Sequence, residues 1–271
     1  MKHLVHILLL SALMLLSFSA CDSVFDIHPY DTRVEGATDL NAKNIKLIEE
    51  RCLDKDTMHI AVISDSHQWY KDLEAEIADI NRRDSIDFVI HLGDLTDFGS
   101  TLEYSLARER LLKLRKPFVV MQGNHDCLGT GNEVYAKMFG NNDFSFIVGR
   151  VKFVMINTNA IEYDYSEPVP DFDFLEAEAT KDSALFDRTV ACMHAAPYSE
   201  QFNNNVLKPF NYYVMNFPNL MFCLYGHGHQ IDEHDFFNNG IIYYEVAAAK
   251  KRKYRIFTIT PNGYANEVIS L

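Results

Sequence analysis

Short apolar runs alternate with amphipathic stretches along most of the chain. Apolar runs of strand length lie at residues 59–64, 86–92, 117–121, 144–148, 151–156, 189–193 and 219–225. Between them, segments such as 70–82 and 101–115 place leucines at helical spacing among charged residues. Near-continuous apolar strands separated by amphipathic helices predict an α/β fold in which helices cover the outer faces of the sheets.

The two ends of the predicted fold have different patterns. Segments 241–247, 254–260 and 264–270 are strand-like, and the Pro-Asn-Gly sequence before the last of them is typical of a turn, so a β-meander is predicted at the C-terminus. A short helix is predicted from Asn41 to Arg51, after a polar tether. We therefore expect residues 21–56 to form an N-terminal arm and residues 57–271 to form one domain.

Residues 1–20 are predicted to be a signal peptide. Lys2 precedes an apolar run at residues 7–18, and Ser19, Ala20 and Cys21 follow, which is the order of a secretory signal. The run is shorter than the roughly 20 residues of a membrane-spanning helix. Its ending resembles a bacterial lipoprotein signal, in which the cysteine becomes the lipidated first residue. We expect an exported protein held by an N-terminal lipid at the periplasmic face of a membrane or at the cell surface; the alternatives are an ordinary signal peptide and an uncleaved anchor.

Composition excludes some classes of protein and partner. The chain has 271 residues, of which 48% are hydrophobic and 23% charged, as in globular proteins that bury a sizeable core. The formal net charge of −13 argues against a broad nucleic-acid-binding surface. The mature chain would keep four more cysteines, an even number that permits disulfides in an exported protein. Cys192 and Cys223 lie in apolar runs, however, where cysteine is more often a core residue.

Side chains that bind metals follow five of the apolar runs. They are Asp65 and His67, Asp94, the Gly-Asn-His-Asp sequence at 123–126, His194, and His227 and His229. Functional residues of α/β sheets gather at the carboxyl ends of the strands. Each pair alone could be a hydrogen-bonded pair or part of a turn, but the whole set in this order predicts a metal site.

The set is similar to the complete signature of the calcineurin-like metallophosphoesterase family, and the resemblance covers roughly residues 57–260. It implies a two-sheet α/β sandwich flanked by helices, with two metal ions at one edge of the sheets. On this resemblance one ion is held by Asp65, His67, Asp94 and His229, and the second by Asp94, Asn124, His194 and His227. Asp94 would therefore bridge the two ions.

The chemistry of phosphoester hydrolysis agrees with this assignment. Two divalent ions about 3.5–4 Å apart need an anionic oxygen between them, and a bridging water that becomes hydroxide near neutral pH can attack phosphorus. The ligand types suit Mn, Fe or Zn. His125 has no metal to bind in the family arrangement, so we assign it as the general acid, with Asp126 to orient it; a purely positioning role is the alternative.

The expected function is hydrolysis of a phosphodiester or phosphomonoester. A non-catalytic or differently specific metal-binding lipoprotein on the same scaffold is the alternative. The protein Ser/Thr phosphatases of the family carry arginines where this chain has Phe98 and Gln122, so we expect a small phosphorylated substrate and not a phosphoprotein. Purple acid phosphatases have a tyrosine where this chain has Asp97. Asp97 is expected to hydrogen-bond a ligand histidine or to cap the next segment.

Three further features are each open to two interpretations. Trp69 and Tyr70 could stack on a nucleobase or sugar, or form part of the core or rim. The acidic segment 162–173 resembles the variable loop beside the family's active site, and could also be an ordinary surface loop. The basic residues within 250–255 could attract an anionic substrate or form a charged hairpin end.

Overall fold

Two mixed β-sheets packed face to face form the centre of the fold. The computed structural model describes residue 28 and residues 30–53, 55–163 and 166–271. The predicted signal peptide at 1–20 and the predicted lipidation site Cys21 lie outside the described residues. One sheet has five strands and the other has six, with helices on their outer faces. The predicted two-sheet α/β class is therefore confirmed.

The strands and helices follow one another along the chain. The strands are β1 (Met58–Ile63), β2 (Phe88–His91), β3 (Phe118–Val120), β4 (Phe144–Val148), β5 (Val151–Ile156), β6 (Arg188–Met193), β7 (Leu220–Tyr225), β8 (Asp232–His234), β9 (Tyr243–Glu245), β10 (Lys253–Thr260) and β11 (Gly263–Ser270). The helices are α1 (Leu40–Cys52), α2 (Tyr70–Arg82), α3 (Thr101–Leu111), α4 (Gly131–Met138), α5 (Phe172–Thr180) and α6 (Leu207–Met215).

The first sheet has the order β11-β10-β1-β2-β3. Its strands β1, β2 and β3 are parallel, and β10 and β11 form an antiparallel hairpin beside β1. The helix α1 covers the edge of β3 that has no neighbouring strand. The Asn41 side chain donates to the Val120 carbonyl at 2.8 Å, and its oxygen accepts from the Val120 N–H at 2.9 Å. These bonds satisfy the edge strand in the way that another strand would.

The helix α1 belongs to the same folded unit as the strands. Its Ile48 and Cys52 are fully buried among core residues of both sheets. The predicted boundary at residue 57 places this helix in the N-terminal arm, and in the structure the helix packs into the core of both sheets. The hydrophobic pattern of α1 alone did not reveal the partner of its apolar face, because that partner lies far along the chain.

The second sheet has the order β4-β5-β6-β7-β9-β8, and β5, β6, β7 and β9 are parallel. The predicted C-terminal β-meander is only half present. The β10–β11 hairpin forms as expected, but β9 pairs with β7 and β8 in the other sheet. All three residues of β9 are buried, since the strand has a neighbour on each side. A run of strand-like segments does not specify which sheet each one joins.

The main core lies between the two sheets. Aromatic side chains from both sheets pack there, and the rings of Phe222 and Phe257 stack with centroids 4.8 Å apart. Each fully buried phenylalanine contributes about 1.5–3 kcal/mol. The helices α2 and α3 pack on the outer face of the first sheet, and α5 and α6 on that of the second. The sheets are thereby held so that the carboxyl ends of β1, β2, β3, β6 and β7 converge at one edge.

The described residues contain no helix that is both long and apolar enough to cross a bilayer. Cys52, Cys127, Cys192 and Cys223 are all free and buried. The disulfides that an even cysteine count permitted are therefore not formed among these four residues. Cys192 in β6 and Cys223 in β7 are core residues, as their apolar surroundings predicted.

Candidate metal centre

The edge where the strands converge brings the predicted metal ligands together. Ligand atoms of Asp65, His67, Asp94 and His229 lie within 4.8 Å of one another, and so do those of Asp94, His194 and His227. Asp94 belongs to both groups. This is the geometry that a carboxylate shared by two cations requires.

In the first group, imidazole nitrogens point at carboxylate oxygens. His229 Nε2 is 3.2 Å from Asp65 Oδ1, and His67 Nε2 is 3.6 Å from Asp94 Oδ2. His67 Nε2 is buried and has no hydrogen-bond partner among the described residues. A buried, unpaired ring nitrogen beside two carboxylates fits a divalent cation, which would satisfy all three groups.

The second group is built around the amide oxygen of Asn124. This oxygen is 3.0 Å from His194 Nε2 and 3.0 Å from His227 Nδ1. His194 Nε2 is also 3.3 Å from Asp94 Oδ2. Two imidazole nitrogens, an amide oxygen and a carboxylate oxygen thus face one point, and this donor set suits a second divalent ion.

Each of three predicted ligand histidines has a hydrogen-bond partner at its other ring nitrogen. Asp97 Oδ1 lies 2.7 Å from His67 Nδ1, and the Leu92 carbonyl lies 2.8 Å from His194 Nδ1. Glu200 Oε1 lies 3.0 Å from His227 Nε2. Such contacts fix the tautomer and leave the opposite nitrogen to a metal. The expectation that Asp97 bonds a ligand histidine is met; Glu200 was missed because it lies in a loop that carries no motif.

A capping box holds Asp97 in place. Ser100 caps α3 and accepts from the Glu103 N–H, while Glu103 Oε2 accepts from the N–H of Ser100 at 3.2 Å. Glu103 also accepts from the Phe98 N–H at 3.2 Å and from Gln68 Nε2 at 2.7 Å. One buried carboxylate therefore ties together the start of α3, the Asp97 loop and the loop that follows His67.

Several predicted ligand residues have a backbone conformation that non-glycine residues seldom adopt. Positive φ angles are found at Asp65 (48°), His67 (44°), Asp94 (56°), His227 (69°) and His229 (61°). Each costs about 1 kcal/mol or more. The loops are held by bonds across the site, since the N–H of His67 donates to the Asp94 carbonyl and that of Asp65 to the Gly93 carbonyl, both at 2.9 Å. Strain at so many ligands is typical of a functional site.

The glycines of the motifs leave room for the ligands. A Cβ atom on Gly123 would overlap Asp94 Oδ1 and the Asp94 nitrogen, and one on Gly226 would overlap the Ser64 hydroxyl. Gly93 has a φ of +106°, and a Cβ there would lie 2.8 Å from His194 Nδ1. The backbone therefore passes very close to the residues of the site at these positions, which explains why glycine precedes Asp94, Asn124 and His227.

Two ionised carboxylates, Asp65 and Asp94, give the centre a negative field. Burial opposes ionisation of Asp65, but the hydrogen bond with His229 and the charge of His194 outweigh it and keep the pKa of Asp65 below its usual value. Burial likewise disfavours a charge on His194, yet the carboxylates of Asp94 and Asp65 raise its pKa to about 9. A divalent cation gains from the same field and would displace that proton, so metal affinity should increase with pH.

His125 lies beside the first ligand group. Its ring is edge-on to that of His67, with centroids 4.9 Å apart, and its backbone N–H donates to Asp94 Oδ1 at 2.9 Å. Its Nδ1 lies 2.9 Å from the Asp97 carbonyl. The expectation that Asp126 orients His125 is therefore corrected, because the orienting contact comes from Asp97.

Asp126 instead organises the backbone around the site. Its buried carboxylate accepts from the N–H groups of Leu95, Thr96 and Gly123 at 2.9–3.1 Å. Burial, and next the charge of Asp94, raises the pKa of Asp126 to about 7 despite these donors. Asp126 thus joins the loop after β2 to the loop after β3, the two loops that carry Asp94 and Asn124.

The remaining features singled out in the sequence divide between the site and the surface. Phe98 is 69% exposed at the loop after β2, and Gln122 is buried and hydrogen-bonded to Asn132 at 2.7 Å. From the acidic segment 162–173, Tyr163 and Val169 pack with Cys127, next to the turn that carries His125. Through these apolar contacts the loop packs against the turn that carries His125.

Comparisons with known proteins agree with this geometry. The sequence model of the calcineurin-like phosphoesterase family matches residues 58–231, more than half of the chain. No match is found among curated protein sequences. TT1561 of Thermus thermophilus is 12% identical, with a TM-score of 0.54 over 78% of this chain and 98% of that chain.

Two further solved structures have the same fold. The calcineurin-like phosphoesterase YfkN from Bacillus subtilis is 11% identical, with a TM-score of 0.50 over 79% of this chain and 90% of that chain. The purple acid phosphatase PPD1 from yellow lupin seeds is 13% identical, with a TM-score of 0.53 over 80% of this chain and 54% of that chain. At these identities the similarity concerns the fold alone, whereas the family match covers both ligand groups up to His229. The chain belongs to the calcineurin-like phosphoesterase family.

Proposed function

We propose that this protein hydrolyses phosphoester bonds with two divalent metal ions bound at the Asp94 centre. The observation that carries the proposal is the pair of ligand groups that share Asp94, each with its ligand atoms within 4.8 Å of one another. When bound, such ions neutralise the charge of a phosphoryl group and lower the pKa of water.

The residues of the chain divide into two sets of ligands. Asp65, His67, Asp94 and His229 would hold one ion, and Asp94, Asn124, His194 and His227 the other. A mixture of imidazole, carboxylate and amide oxygen suits Mn, Fe or Zn. The buried carboxylates Asp65 and Asp94 stay ionised, because neighbouring histidines hold both of their pKa values below the usual value against the effect of burial.

His125 is the residue we assign to protonation of the leaving oxygen. Contact of its Nδ1 with the Asp97 carbonyl leaves Nε2 as the nitrogen that can transfer a proton. The ring is half-buried beside His67, so a substrate at the metal centre can reach it. Asp126 positions the loops and does not contact the His125 ring.

The absence of arginines at Phe98 and Gln122 supports a small substrate. An arginine pair would form a fork for a phosphate held on a protein surface. Here Phe98 presents an exposed ring and Gln122 is hydrogen-bonded within the fold. We infer a small phosphomonoester or phosphodiester as the substrate, and no broad nucleic-acid surface.

Two measurements, the metal content and the turnover of a phosphoester, together test this function. The full-length protein, reconstituted in turn with Mn, Fe and Zn, should bind about two ions per chain and hydrolyse p-nitrophenyl phosphate or bis-p-nitrophenyl phosphate. Asp94→Asn should lose both properties. Asp56→Asn is the matched control, since Asp56 is exposed and precedes β1 at the strand end opposite to Asp65.

The outcomes separate the two candidate functions. Wild-type activity in Asp94→Asn would show that the shared carboxylate is not required and would overturn the proposal. Full metal content with no turnover of monoesters, diesters, nucleotides or sugar phosphates would favour a non-catalytic metal-binding protein on the same scaffold.

We further propose that the protein is exported and anchored in a membrane through a lipid on Cys21. The proposal rests on the sequence of residues 1–21, with its basic start, short apolar run and small residues before the cysteine. Radiolabelled palmitate should enter the wild-type protein and not Cys21→Ser. Equal labelling of both would exclude lipidation at this cysteine.

A further inference from the structure

A cationic side chain lies over the single tryptophan of the chain at the rim of the metal centre. Lys250 Nζ is 4.2 Å from the centre of the Trp69 ring. The Trp69 ring is itself 4.8 Å from the His67 ring and 5.8 Å from the His229 ring, centroid to centroid. His67 and His229 both belong to the ligand group of Asp65, so the Lys250 ammonium lies beside that half of the centre.

The backbone holds Lys250 in this position. Lys250 is the middle residue of the short turn Ala249–Lys251, and the first N–H of that turn donates to the Asp65 carbonyl at 3.2 Å. The preceding residue, Ala248, forms a parallel β-bridge with Ser64. The turn is therefore attached to the loop that carries the ligand Asp65, and Lys250 lies at the rim because of the path of the chain.

The other members of the basic cluster have different roles. Arg252 Nε lies 3.3 Å from Asp72 on α2. Arg255 is fully buried and donates to Glu233 Oε1 at 2.9 Å and to the Glu245 carbonyl at 3.0 Å. Both arginines are thus part of the framework. Among the described residues Lys250 forms no ion pair, and its ammonium group contacts the face of the indole.

This arrangement suits recognition of an anion next to the bound phosphoryl group. A partly exposed contact between an ammonium group and an indole is weak, so a negatively charged group can replace it at low cost. The indole is partly exposed and offers a flat surface for the part of a substrate that lies between the metal centre and Lys250.

We propose that Lys250 and Trp69 form a subsite for a second anionic group of the substrate. The preferred substrate is then a small phosphoester that carries a further phosphate or carboxylate. This inference rests on the proposed phosphoesterase function and names the class of substrate that the same site prefers. Of the two interpretations of the basic cluster, it assigns anion recruitment to Lys250 and a framework role to Arg252 and Arg255.

The tryptophan makes the subsite directly observable. Trp69 is the only tryptophan of the chain, so fluorescence excited selectively in tryptophan reports on this place alone. The probes are three non-hydrolysable phosphonates titrated into the zinc-loaded full-length protein. Phenylphosphonate has one anionic group, 4-phosphonobenzoate adds a carboxylate, and 1,4-phenylenediphosphonate adds a second phosphonate. The last two probes distinguish a carboxylate from a phosphate as the preferred second group.

We expect at least one two-anion probe to bind about tenfold more tightly than phenylphosphonate. Lys250→Met should lower its affinity to that of phenylphosphonate, and Lys250→Arg should keep part of the preference. Lys251→Met is the matched control, because Lys251 is an exposed lysine in the same turn. This control should leave the preference unchanged.

Three results would overturn the subsite: equal affinities of the wild type for all probes, an unchanged preference in Lys250→Met, or the same loss in Lys251→Met, which would show only a general charge effect. If phenylphosphonate binds and aryl phosphoesters are hydrolysed, these results contradict the subsite alone. If no phosphonate binds and no phosphoester is hydrolysed, the proposed function fails and the subsite fails with it.

Discussion

The contact between Asp97 and His67 should determine how tightly one of the two proposed ions is held. Asp97 Oδ1 is 2.7 Å from His67 Nδ1, and its side chain is 32% exposed. Asp97→Asn keeps the shape of the side chain and removes its charge. The backbone carbonyl of Asp97, which contacts His125, is retained. The variant therefore acts on the orientation and basicity of His67 and leaves the proposed acid in place.

The size of the effect follows from the exposure and length of the contact. A hydrogen bond to a charged group contributes about 1.5–3 kcal/mol, and partial exposure of Asp97 favours the lower half of that range. Loss of such a partner of a ligand histidine lowers metal affinity by about 10- to 100-fold. Glu200, at 3.0 Å from His227 and with a 77% exposed side chain, provides the comparison. An exposed pair is worth about 0.2–1 kcal/mol, so Glu200→Gln should cost at most about fivefold.

The assay is equilibrium competition between the protein and a fluorescent chelator, which gives the affinities of the two ions separately and does not depend on turnover. Asp97→Asn should weaken one ion strongly and the other little, while Asp56→Asn should match the wild type. Unchanged affinities in Asp97→Asn, or a loss no larger than that in Glu200→Gln, would refute the argument from exposure and distance.

Three further predictions concern the acid, the motif glycine and a carboxylate away from the site. His125→Ala should lower kcat for phenyl phosphate about 100-fold and for p-nitrophenyl phosphate far less, because a poor leaving group needs the proton more; equal losses would contradict the acid role. Gly123→Ala should lower the metal content measured on the purified protein, since the added Cβ overlaps Asp94; wild-type content would show that the loop can move aside. Burial raises the pKa of Asp143 to about 7 although its Oδ1 accepts from the Asn157 N–H, so the folded state keeps a proton that the unfolded chain has lost. Stability should fall as the pH rises from about 4 to about 7, and Asp143→Asn should raise the free energy of unfolding by about 1–3 kcal/mol at about pH 8 and little at about pH 4, measured by urea unfolding; the same gain at both pH values would contradict the titration.

The local elements were predictable from the sequence because their causes are local. The helix α2 and the strands β4 and β5 have the predicted limits of 70–82, 144–148 and 151–156. Apolar periodicity over such short segments decides which of them become helices and which become strands. The predicted ligands also come together, because the carboxyl ends of parallel strands share one edge of a sheet.

Contacts between distant parts of the chain were decided by the tertiary structure. The strand β9 looks like its neighbours in sequence but joins the other sheet, and α1, predicted as a helix of the N-terminal arm, packs into the core. Asp126 follows His125 directly, yet its carboxylate binds the backbone of the neighbouring loops. Hydrophobic patterns carry no information about such partners, because the pattern of one segment is satisfied by any apolar surface of the right shape.

The sequence by itself therefore determined the class of the fold, the approximate limits of most strands and which side chains are available to bind metal. Only the tertiary structure decided which groups orient those ligands and what borders the site. Glu200 reaches His227 from another loop, and Lys250 reaches Trp69 from the far end of the chain. The physical reason is range: backbone preferences act over a few residues, while these contacts depend on how the two sheets pack and where their loops meet.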